Sequence, residues 1–197
     1  MKVRQLGLAE AQNRLSEINL QIGQWGQMET LDSKGLGNHA GPFQAPRDSL
    51  QLFNFSQHVA EWLPISNWLM LKFDHSNSLD RSEFSLIEQL CFGASFEERL
   101  EEGAAILFEF DSSLPTKRQT SLLIANLIFA IGLLEGHAQL ASSDGKCAHL
   151  LSMQDGFAYF ASDATGIDQA EKITKSFVAS PLASPEWVNA LDWENLS

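Results

Sequence analysis

Apolar residues near the start of the chain recur at Leu8, Ala11, Leu15, Ile18, Ile22 and Trp25, at spacings of 3, 4, 3, 4 and 3. This heptad seam predicts an N-terminal amphipathic helix over 1–25. Its apolar face has two possible uses. It docks on its own domain, or it offers Leu15, Ile18, Ile22 and Trp25 to a partner or to a second copy of the chain. The pattern stops at residue 26. Four glycines and two prolines between 26 and 49 predict a flexible linker or long loop, and with it a boundary before a domain over 50–197.

The domain starts with a helical pattern, Leu52, Phe55, Val59 and Trp62, ended by Pro64. Trp68 to Phe73 is a short apolar run between polar residues and predicts a buried strand. Asp80 and Glu83 then open a helix, with Leu79 placed to staple to Phe84. Phe84, Ile87, Leu90 and Cys91 face inward, and Gly93 is placed to end it. Ser95 and Glu98 repeat the capping pattern for a short helix ending near Gly103. A strand over 104–110 follows. Thr116 and Gln119 cap a helix over 117–135 that is apolar nearly all round, so it is expected to be the central buried helix.

Two Asp-Gly pairs, Asp144-Gly145 and Asp155-Gly156, separate three alternating runs. Both residues of the two-residue hairpin turn need positive φ, which Asp and Gly tolerate. A three-stranded antiparallel meander over 137–143, 146–154 and 157–162 is predicted. A two-residue turn at Asp144-Gly145 pairs Ser142 with Cys147, Leu140 with His149 and His137 with Ser152. Cys147, His149, Leu151 and Met153 then share an apolar face, with His137 on the other. Thr165 caps a helix to about Ala179, and Ser184-Pro185 starts a last short one carrying Trp187 and Leu191. The predicted fold is α+β. A mostly antiparallel sheet of about five strands packs on the 117–135 helix, with the meander at the C-terminal side and the amphipathic helix at the N-terminal side.

Charge changes the picture more than composition does. The net charge is −12, with 25 acidic and 13 basic residues. That balance argues against nucleic acid and against an anionic membrane surface, and favours a basic protein partner. Residues 1–49 are neutral, with five residues of each sign, so the whole excess lies in 50–197. Between Asp74 and Asp111 ten acidic residues face only Arg81 and Arg99. Glu97, Glu98, Glu101 and Glu102 are the densest part and the candidate partner-binding residues. A solvated helix face that only aids solubility is the plainer explanation. Two cysteines, Cys91 and Cys147, make no disulfide framework, so a cytoplasmic location is expected. The longest apolar run is too short to span a bilayer.

Candidate chemistry is sparse. The sequence has no Gly-rich phosphate loop, no GxSxG elbow and no HExxH. Asp74, Ser76 and Ser78 alternate just past the 68–73 strand. Carboxylate and hydroxyl oxygens in that order suit a hard divalent cation such as Mg²⁺. The pattern resembles the metal-ion-dependent adhesion motif of von Willebrand factor A domains, where an Asp and two Ser oxygens bind a divalent cation. Thr116 or Thr120 resembles the family's later threonine, and Asp155-Gly156 its late Asp-Gly. The resemblance spans roughly 68–160 and implies metal-dependent binding. Without a metal, the same loop residues satisfy backbone groups through Asx and Ser turns.

Two functions are thus expected from the sequence. The leading one is a non-catalytic acidic interaction module of the immunity-protein, secretion-chaperone or adaptor type, free to self-associate through its N-terminal helix. The alternative is a metal-dependent binding domain at Asp74. An enzyme whose site is assembled from distant residues is a third possibility.

Overall fold

The computed structural model describes residues 2–24, 26–30, 38–63, 68–73, 105–110, 117–134, 136–143 and 147–177. Among them are nine strands and four helices. In chain order these are β1 (Lys2–Leu6), α1 (Leu8–Ser16), β2 (Leu20–Ile22), β3 (Met28–Thr30), β4 (Asn38–Gln44) and α2 (Ser49–Trp62). Then come β5 (Trp68–Phe73), β6 (Ala105–Glu109), α3 (Lys117–Leu133), β7 (Ala138–Ser143), β8 (Ala148–Gln154), β9 (Phe157–Ser162) and α4 (Ala164–Phe177).

Seven strands form one sheet in the order β1-β6-β5-β7-β8-β9-β4, and every pairing in it is antiparallel. The fold is α+β, as the pattern predicts, but with seven strands in the main sheet rather than five. The two extra strands come from the N-terminal segment. β1 pairs with β6, and β4 pairs with β9. Residues 1–49 therefore supply both edges of the sheet and are not an arm on a linker. Composition misled here. Gly41 and Pro42 lie in a register shift between Ala40 and Phe43, so β4 tolerates residues that usually exclude a strand.

The heptad seam is also cut short. α1 ends at Ser16, and Asn19 turns the chain at φ +59. Leu20 then enters β2, which pairs with β3 as a small hairpin. Asn is one of the few residues that tolerates this left-handed conformation, and it breaks the 3.6-residue period.

Both faces of the main sheet are covered. One face carries Leu69, Leu71, Phe108, Leu140, Leu151, Met153 and Phe160, packed under α2, α3 and α4. The other carries Met70, Leu107, Ala141, Leu150 and Ala161, packed under α1 and the β2–β3 hairpin through Leu15, Leu20 and Met28. This double covering explains why Trp68 to Leu71 reads as a continuous apolar run rather than an alternation. α3 is covered on its sheet side and by α2, but Leu122 and Leu133 remain exposed, so it is not buried all round.

The helices are fixed by local chemistry. The Asp48 carboxylate accepts from the Gln51 amide and caps α2. Asp163 caps α4 by accepting from the Gly166 amide at 2.7 Å, so this helix begins before the predicted cap at Thr165. The Trp62 indole donates to the Gly166 carbonyl at 2.8 Å, and its ring packs edge-on to His149 and Phe160.

The meander forms with strand limits close to those predicted, but its first hairpin is shifted. Ser142 faces His149 and Leu140 faces Leu151. Relative to a two-residue turn the register slips by two positions. An even slip keeps strand side chains on their faces, so Leu140, Leu151 and Met153 share the predicted core face, but Cys147, just before β8, packs with the cluster on the opposite face. The second hairpin turns tightly at Asp155 and Gly156, with φ of +50 and +76.

Candidate functional site

Cross-strand register assembles a polar row that no single segment displays. Lys72 on β5 faces Gln139 on β7, Gln139 faces Ser152 on β8, and Ser152 faces Tyr159 on β9. Directly opposed residues share a face. This row crosses the face that carries α1 and the β2–β3 hairpin. Exposure rises along it, from fully buried Lys72 to partly exposed Tyr159.

Each member is tied to its surroundings. The Lys72 ammonium lies 3.4 Å from the Phe73 carbonyl. The Gln139 amide group donates to the Met28 carbonyl at 3.0 Å and accepts from the Met28 amide. One side chain thus completes the backbone of β3 and holds the hairpin onto the sheet. Tyr159 has its phenol pushed above the usual range, first by burial and then by the charge of Asp155.

His137 lies at the start of β7, beside this row. Its Nε2 donates to Asp155 Oδ1 at 2.7 Å. A carboxylate only accepts, so this bond places the proton on Nε2. The histidine is buried and the aspartate is exposed. A cleft of about 310 Å³ runs past them, lined by Gln27, His137, Gln139, Ser152 and Gln154, with Ala138 and Met153. Its volume is at the small end of ligand pockets. The cleft offers amide and hydroxyl groups to a polar molecule.

Cys147 and His149 lie at the opposite end of the meander, about 17 Å away along the strands. Cys147 sits 3.7 Å from Ser162 and donates to the Ala148 carbonyl. Among the described residues no group of three or more His, Cys, Asp or Glu side chains is placed to hold a metal ion.

The sequence-derived candidates fall out as follows. Asp74, Ser76, Ser78, Glu97, Glu98, Glu101 and Glu102 lie outside the described residues, as do Thr116 and Trp25. Leu15 is fully buried against the protein's own sheet, Ile18 is partly buried, and Ile22 belongs to β2. The predicted continuous helical partner face is therefore not formed. Docking on its own domain is the use to which α1 puts its apolar residues. Two further positions likened to the adhesion motif can be located. Asp155 is a hairpin turn residue paired with His137, and Thr120 is buried on α3.

Nothing in the local sequence announces the polar row or the His137–Asp155 pair. The alternation in β7 and β8 contained the signal, but the two-residue register error set Gln139 against Leu150 instead of Ser152. Compared with known protein families, curated proteins and solved structures, the chain matches none. Among the described residues no helix is long and apolar enough to cross a membrane.

Proposed function

We propose that this chain is a non-catalytic protein-interaction module that binds a basic protein partner through its acidic segment, in the manner of an immunity protein, secretion chaperone or adaptor. One observation supports this reading above the others. Lys72 on β5 is registered opposite Ala105 on β6, so residues 74–104 leave and re-enter the sheet at neighbouring points. That connection holds eight acidic residues and two arginines. A concentrated charge of one sign, attached at one end of a rigid sheet, speeds encounter with an oppositely charged surface and selects against acidic competitors. Cytoplasmic placement belongs to the same proposal and is supported by the low cysteine content.

The test is co-purification from the native cells of the wild-type chain and of a variant with Glu97, Glu98, Glu101 and Glu102 all changed to Lys. A basic protein retained by the wild type, released by raised salt and lost by the variant supports the proposal. Equal retention by the variant overturns it.

The second reading, a divalent-metal-dependent binding domain at Asp74, Ser76 and Ser78, draws support from the position of the motif directly after β5. A thermal melt with millimolar Mg²⁺ or Mn²⁺ that leaves the midpoint unchanged removes it.

A further inference from the structure

The cleft beside the polar row has two walls. On the hairpin side it is closed by Gln27, in the turn between β2 and β3. On the sheet side stand His137 and Gln139 at the start of β7, and Ser152 and Gln154 of β8. Residues two apart on a strand share a face, and the pairing of Gln139 with Ser152 makes it one face for all four. None of the seven lining residues is Asp, Glu, Lys or Arg.

Some of these polar groups are already engaged. Gln139 uses both ends of its carboxamide on the Met28 backbone, and His137 donates to Asp155. The Gln27 amide nitrogen lies 3.4 Å from the Glu29 carboxylate, which directs its oxygen elsewhere. That Oε1 is shut off from solvent and has no hydrogen-bond partner among the described residues. An acceptor left in that state is costly, and a donor brought beside it removes the cost. A turn about the terminal side-chain bond brings the oxygen to the cleft. The Ser152 hydroxyl and the Gln154 carboxamide each add a donor and an acceptor.

The charges around the cleft are answered by the protein itself. The Lys72 ammonium, beside Gln139 in the row, turns to the Phe73 carbonyl. Glu29 accepts from Gln21 and Gln27, and Asp155 accepts from His137. A charged ligand would lose its hydration and meet no counter-ion in the lining. Hydroxyls, each both donor and acceptor, match the lining without that loss. Tyr159, opposite Ser152 on β9 and 39% exposed, adds an aromatic ring for the C–H groups of such a molecule. A volume of about 310 Å³ suits one sugar-sized ring.

We propose that this cleft binds a neutral, hydroxyl-rich small molecule of monosaccharide size, held by Gln27, Ser152 and Gln154. The inference is independent of the acidic segment and of any protein partner.

The test is a titration of the isotope-labelled full chain with glucose, galactose, mannose or xylose, each up to about 50 mM, since a site with so few polar contacts binds in the millimolar range. The side-chain amide resonances of Gln27 and Gln154 are followed. At least one sugar is expected to shift both, and to saturate. Ser152→Ala with Gln154→Ala is expected to weaken that sugar about tenfold, the worth of two hydrogen bonds, with an unchanged circular dichroism spectrum. The amino-sugar and uronic-acid forms of the same sugar are expected to bind more weakly. If no sugar shifts both amides, or the double variant binds as the wild type does, the site is overturned. Charged forms that bind as tightly as the neutral sugar overturn the ligand class.

Discussion

The proton on His137 Nε2 points at Asp155 Oδ1 across 2.7 Å, joining the start of β7 to the tip of the β8–β9 hairpin. Asp155 thereby does two things. It turns the chain at positive φ, and it places a negative charge near both His137 and Tyr159.

Tyr159 is the single tyrosine of the chain, so its ionisation is read directly from absorbance near 295 nm. Burial and then Asp155 raise its pKa above 10.0. The folded state thus keeps the phenol protonated after the unfolded chain has begun to ionise. The contribution to stability is complete below the unfolded value and is lost as pH rises through the folded one. Asp155→Asn keeps a residue suited to the turn and removes the charge. Its expected effect is a Tyr159 titration shifted down towards the ordinary value. An unchanged titration would mean that burial alone sets it.

Gly166 has no room for a side chain. An added Cβ would lie 2.2 Å from Ser162 Oγ and 2.7 Å from Ser162 Cβ. Gly166→Ala is expected to destabilise the protein by about 1–3 kcal/mol, the usual cost of overpacking, as measured by urea denaturation. Placing the same change in a Ser162→Gly background removes both clashing atoms and should recover part of the loss. No recovery would place the cost elsewhere in the first turn of α4.

Leu15 and Leu8 lie on one helix with opposite exposure. Leu15 is fully buried under the sheet, and Leu8 is exposed. Leu15→Ala is expected to cost about 2–5 kcal/mol, with Leu8→Ala within about 0.5 kcal/mol. Equal small effects would show that α1 contributes little to the core. Deleting residues 1–49 removes both edge strands and should abolish cooperative unfolding.

The legible part of the fold lay where pattern and turn chemistry agree locally. Asp155-Gly156 fixed one hairpin, Trp68 to Phe73 one strand, and Leu52, Phe55, Val59 and Trp62 one helix face. The illegible part was non-local. Lys2–Leu6 has too few residues to declare a strand, and its partner Ala105–Glu109 lies far along the chain. Asn38–Gln44 hides behind Gly41 and Pro42. The His137–Asp155 pair and the Lys72–Gln139–Ser152–Tyr159 row depend on register, which a loop two residues longer than expected had shifted.

The edges of the sheet carry a consequence for synthesis. Lys2 pairs with Glu109 and Asn38 with Ser162, so β1 and β4 are each made long before the strand they pair with. At about 5–20 residues per second, β1 waits on the order of 5–20 s on the ribosome before β6 exists. During that interval Leu6, Leu15 and Leu20 have no sheet to cover, so these apolar side chains stay open to other contacts.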